Sequence, residues 1–139
     1  MVADAESLRF YVDESALGLG KALTIARRDT IHVGHRLIPD CPLGVLDPAW
    51  IPAVAQRGLV VIGRDKHIRT KPEEIRQLRS AGLRVFRIGG KRDLATWDWL
   101  VRVVRRWDDM ERVIRDRPEG PWFYLINESG LTEVPLPAG

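Results

Sequence analysis

Three aspartates stand where a carboxylate is placed to do chemistry. Asp13 closes a short apolar run, Leu8-Arg9-Phe10-Tyr11-Val12, and Glu14 follows it. Asp47 opens a helical stretch directly before Pro48. Asp65 comes just after the β-branched run Leu59-Val60-Val61-Ile62-Gly63, with Arg64 between. Carboxylates brought together repel unless a cation holds them. Oxygen ligands of this kind suit Mg2+ or Mn2+, which bind a few carboxylates and complete their shell with water and substrate phosphate. An ion so held sharpens a bound water into a nucleophile and neutralises the leaving oxygen. If Asp13, Asp47 and Asp65 converge, the chemistry expected is phosphodiester hydrolysis without a covalent intermediate.

Each acid also has a plain structural use. Asp13 and Glu14 would end a strand, and Asp65 would sit in a turn. Asp47 reads as a helix N-cap with Pro48 at the first helical position. Glu73 and Glu74 fall in a first helical turn, where the dipole favours acids. Glu73 reads as structural and Glu74 as a further candidate for an outer ligand. Residues 57–92 carry eleven Lys and Arg against three acids, a net charge of +8. Such a stretch suggests a polyanionic partner, although arginine outnumbering lysine eighteen to four also fits an arginine-rich genome.

The elements that must position these residues follow from periodicity. Short runs at 8–12, 30–34, 59–63, 83–88 and 122–126 read as strands. Apolar spacing predicts helices from about 17 to 27, from 47 to Gly58, over 70–81 and over 94–117. Thr70 and Glu73 form a capping box. In the last helix, Trp97, Leu100, Val104 and Trp107 read as the core stripe. Trp99 falls off it and is expected to be exposed, marking a partner or dimer surface. Strands alternating with helices imply an α/β fold, a three-layer α/β/α sandwich with a mostly parallel central sheet. In such sheets ligands bind beyond the C-terminal strand ends, which is where Asp13 and Asp65 fall.

The 139 residues fit one domain, 1–139, with a core of about 8–126 and a loose tail from Pro135. Apolar residues make up 45% and mean hydropathy is −0.18, which excludes a disordered chain. No apolar run reaches the ~20 residues of a membrane span, and the N-terminus does not resemble a secretory signal. With one cysteine, Cys41, no disulfide framework forms, so a cytoplasmic setting is the default. Cys41 reads as an inert thiol rather than a nucleophile.

Phe10-Tyr11-Val12-Asp13-Glu14-Ser15, then Leu46-Asp47-Pro48-Ala49-Trp50-Ile51, then Val60-Val61-Ile62-Gly63-Arg64-Asp65-Lys66-His67-Ile68 together resemble the PIN-like domains. The resemblance covers roughly residues 8–90 and is closest to the branch that includes VapC-type toxins. It implies a compact α/β/α fold and a Mg2+- or Mn2+-dependent endoribonuclease, the toxin of a type II toxin–antitoxin pair, silenced by an antitoxin encoded alongside. Asp13, Asp47 and Asp65 fall on the family's acidic positions, with Glu14 sharing the first as a weaker ligand. Many PIN domains have a fourth acid near the third; here Lys66, His67 and Ile68 follow Asp65, which favours one tightly held ion. Lys66, Arg64, Arg69 and Lys71 are then expected to hold RNA phosphates beside it.

Two alternatives stand beside that expectation. A receiver-like phospho-acceptor domain would also place an acid pair after strand one and an Asp after a central strand. It would leave Asp47 unexplained and lacks a Ser or Thr after Leu83–Ile88. A PIN-derived RNA-binding module without metal is the other. A phosphatase of the Asp-x-Asp type is disfavoured by Ser15.

Overall fold

The computed structural model describes residues 5–64, 72–89 and 94–136. Within them the elements run β1 (Phe10–Val12), α1 (Leu17–Ala26), β2 (Thr30–His32), α2 (Asp47–Gln56), β3 (Val60–Arg64), α3 (Pro72–Ser80), β4 (Arg84–Ile88), α4 (Thr96–Asp116), β5 (Trp122–Ile126) and β6 (Leu131–Glu133). A single 3-10 turn, Glu14–Ala16, joins β1 to α1. The strands form one sheet in the order β2-β1-β3-β4-β5-β6. Pairings from β2 to β5 are parallel, and β6 returns antiparallel beside β5.

Parallel strands need both faces covered, and the strand sequences supply apolar groups to both. Tyr11, Val61, Val85 and Phe123 point to one side, where they meet Trp50, Ile51 and Val54 of α2 and Leu78 of α3. Phe10, Val12, Ile62, Phe86 and Ile88 point to the other, against Leu19 and Leu23 of α1 and Val103 and Met110 of α4. The result is the expected three-layer α/β/α sandwich. Gly58 and Gly82, with φ of +65° and +69°, end α2 and α3 in a left-handed conformation that other residues rarely adopt.

Five expectations need correction. The strand β6 is additional: its short, half-polar sequence gives no strong period-2 signal. The tail is not loose through Leu136, because the Val134 amide donates to the Phe123 carbonyl at 2.8 Å and Leu136 packs on the core. The helix α4 is turned partly off the expected stripe: Leu100 and Trp107 pack on the core as expected, but Trp97 is 69% and Val104 59% exposed while Val103 and Met110 are buried. Trp99 is half-buried rather than an exposed surface marker. Finally, α2 begins one residue earlier than expected, so Asp47 is its first helical residue and Leu46 its N-cap. The Asp47 carboxylate is therefore not spent on the helix start. The proposed Thr70 cap lies outside the described residues, whereas Glu73 does serve the helix, pairing with Arg76 at 3.0 Å.

Candidate active site

The strand order sends the chain from β1 outward to β2, then back across β1 to β3. Connections leaving β1 and β3 thus diverge and open a crevice beyond their C-terminal ends. A cavity of about 300 Å3 lies there, walled by Tyr11, Asp13, Glu14, Ser15, Gly44, Val45, Asp47, Trp50, Arg64, Glu74 and Arg87. Asp13 and Asp47, 34 positions apart in sequence, share that wall with Glu14 and Arg64. Asp65, Lys66, Arg69 and Lys71 lie outside the described residues. Asp65 is nonetheless the next residue after Arg64, the last of β3.

Asp13 is held by the backbone and by two side chains. Its amide donates to the Ile62 carbonyl at 3.1 Å, which extends the β1–β3 ladder by one bond. Its carboxylate caps the 3-10 turn, with Oδ1 accepting from the Ser15 amide at 3.0 Å and from the Ser15 hydroxyl. Oδ2 accepts from Arg87 Nη1 in a short ion pair. Both partners are buried, Asp13 at 7% exposure and Arg87 at 2%. A charge this deep must be paired, since desolvation costs several kcal/mol per ion. Ser15 closes the arrangement: its hydroxyl also accepts from the Arg64 amide at 2.9 Å and so pins the end of β3 to β1.

Gly63 makes the pair possible. It sits opposite Arg87 in the β3–β4 register. A Cβ there would lie 2.7 and 2.8 Å from the two Asp13 carboxylate oxygens and would also strike the Arg87 guanidinium. Gly63→Ala is therefore expected to destabilise by about 1–3 kcal/mol through overpacking. Urea unfolding measures this, and an unchanged midpoint would show that the pair has room to shift.

Asp47 and Glu14 are tied down as well. Asp47 Oδ1 accepts from Trp50 Nε1 at 2.9 Å, one helical turn on, and Trp50 stacks on Tyr11 with centroids 5.7 Å apart. Glu14 Oε1 accepts from the Gly44 amide at 2.5 Å, binding the 33–46 loop to the strand end. Arg64, expected to meet phosphate, lays its guanidinium 5.0 Å from the ring centre of Trp99 on α4, a cation–π contact. Burial, with Cys41, Asp13 and Glu14 nearby, pushes the Tyr11 phenol up, so it stays protonated at neutral pH. Burial likewise pushes the Cys41 thiol up, away from the thiolate a nucleophile needs.

Sequence reasoning missed Arg87 and the bridging role of Ser15. In the sequence Arg87 is one of eleven cations of the basic stretch over 57–92. The usable signal was its place inside a strand: between Phe86 and Ile88 of a sheet covered on both faces, an arginine must be buried and so must have an acidic partner.

The donor chemistry fits a hard divalent cation. Among the described wall residues four carboxylates face two guanidiniums, a surplus of two negative charges, and the ligands on offer are oxygens. The third acid of the expected set is undescribed, and among the described residues no three Asp, Glu, His or Cys side chains stand together as a complete ion site.

A family model described as "PIN like domain" matches residues 8–90. No curated protein and no solved structure matches the chain. PIN-like domains are typically nucleases and generally use divalent metal ions, which sets the phospho-acceptor alternative aside. The matched span is more than half of the chain and runs from before β1 to the end of β4, taking in the whole cavity wall, so the chain belongs to the PIN-like domain family.

Proposed function

We propose that this PIN-like protein is a metal-dependent endoribonuclease, hydrolysing RNA phosphodiesters as the toxin of a type II toxin–antitoxin pair. The observation that carries the proposal is that Asp13, Glu14 and Asp47 line one cavity beyond the strand ends, in a chain of a nuclease-type family. Asp13, Asp47 and Asp65 are assigned to Mg2+ or Mn2+, with Glu14 as a weaker ligand. When bound, such an ion supplies a water of lowered pKa and polarises the phosphodiester.

The chain's own residues do the positioning. Arg87 and Ser15 fix the Asp13 carboxylate, engaging three of its roughly four lone-pair sites and leaving room for one more contact on Oδ2. Trp50 steadies the Asp47 carboxylate on the first turn of α2. Arg64, with Lys66, Arg69 and Lys71 beyond it, is assigned to the RNA phosphates. The partners are RNA, a cognate antitoxin and a second copy of the chain, in the cytoplasm, with 1–139 acting as a single domain. No helix among the described residues is long and apolar enough to cross a membrane.

The test is direct. Purified protein with Mn2+ is expected to cut single-stranded RNA internally, and EDTA is expected to stop it. Folded protein that leaves RNA intact with both Mg2+ and Mn2+ would refute the enzyme. A second reading rests on the Asp13–Arg87 pair, which balances the buried carboxylate without a metal: a PIN-derived module that binds RNA and does not cut it. RNA binding unchanged by EDTA, without cleavage, is its signature.

A further inference from the structure

We infer that Arg87 is a substrate-binding residue, whose Nε–Nη2 edge takes the non-bridging oxygens of an RNA phosphodiester while Nη1 holds Asp13. The inference rests on the nuclease reading in naming RNA as the source of the anion. Its physical basis is a pair of unmet donors. The Arg87 guanidinium is buried, yet its contacts to Asp13, Ser15 and the Arg64 carbonyl all run from Nη1. Among the described residues, neither Nε nor Nη2, both shielded from solvent, has an acceptor.

Buried donors without acceptors are rare because each forfeits its hydration and receives nothing in return. Here two lie side by side on one rigid guanidinium edge. That edge is the fork that matches phosphate and carboxylate oxygens bidentately. Arg87 belongs to the wall of the same cavity as Asp13 and Asp47. Among the described residues the carboxylate that reaches Arg87 is Asp13, and it is already on Nη1, so the free edge is assigned to an anion from outside the fold. A phosphodiester bears two equivalent anionic oxygens and is the anion a nuclease cavity must receive. The other wall carboxylates disfavour a free anion, so the contact is made by a phosphate held as part of a longer strand.

The test compares wild type with Arg87→Lys, which keeps the charge opposite Asp13 but lacks the fork. Binding of a fluorescein-labelled single-stranded oligoribonucleotide is followed by anisotropy in EDTA at low salt, with folding checked by thermal melting. The variant is expected to bind at least tenfold more weakly, about 1.4 kcal/mol. A folded variant that binds as wild type does overturns the inference and leaves the nuclease reading standing. Wild type that binds no RNA in EDTA overturns the inference as well, while cleavage with Mn2+ decides the nuclease reading separately. If Arg87→Lys does not fold, the Arg87 Nε–H resonance of wild type decides. It is expected to shift on titration with the same oligoribonucleotide, and a resonance unmoved at saturation overturns the inference.

Discussion

Asp47→Asn is expected to lower RNA cleavage at saturating Mn2+ by on the order of 10²-fold or more, while moving the melting temperature hardly at all. The size follows from metal-site chemistry: loss of a residue that merely supports a ligand costs about 10–100-fold, and loss of a ligand costs at least that. The small structural effect follows from position. Asp47 is half-exposed, does not cap its helix, and among the described residues accepts from Trp50, a bond that the Asn carbonyl can keep. A substitution of that kind stays within about 0.5 kcal/mol. Initial rates and a thermal melt on the same sample separate the two effects. An unchanged rate would remove Asp47 from the metal set, and with it the reason for reading the cavity as catalytic.

The largest effect on stability is expected at Arg87→Met. The change leaves Asp13 charged, buried and unpaired, which costs about 3–5 kcal/mol and lowers the melting temperature by roughly 10 °C or more. Asp13→Asn strands the guanidinium instead, so it too loses stability along with activity, and is a poorer probe of chemistry than Asp47→Asn. Combining Asp13→Asn with Arg87→Met removes both charges, so the double variant is expected to lose less than the two singles together. The shortfall, as a coupling energy, is expected to be about 2–3 kcal/mol. Urea unfolding of all four proteins measures it. Additivity within about 0.5 kcal/mol would mean that the contact between Asp13 and Arg87 does not hold the site together.

The fold was legible wherever burial is two-sided and local. Val60-Val61-Ile62 and Val85-Phe86 could only be strands of a covered sheet, and Gly58 and Gly82 stop their helices as expected. The face of α4 was harder because its apolar residues spread beyond one stripe. Trp97, Val101 and Val104 form a second row beside Val103, Trp107 and Met110, sharing Leu100 and Ile114. Periodicity alone does not say which row meets the sheet. Contacts with α1 and with the end of β3 decide it, since Arg64 draws Trp99 inward.

The acidic half of the site was legible because acids at strand ends and helix starts are visible one at a time. Its basic half was not. The burial of Arg87 follows from its strand, but its partner does not: that emerges only once β4 lies beside β3 and the missing side chain of Gly63 opens a path to Asp13, a relation between positions 13, 63 and 87 that no local window contains.

Glu14 has a consequence that reaches past its own position. Its Oε1 atom already receives the Gly44 amide, and an oxygen has few lone pairs to share. Any guest that draws on that oxygen competes with the peptide it secures. Linkage makes the competition reciprocal: a change that grips the 33–46 segment more firmly weakens the guest by the same factor that the guest loosens the segment. Hydrogen exchange at the Gly44 amide therefore reports on events in the crevice, from a backbone position that carries no chemistry itself.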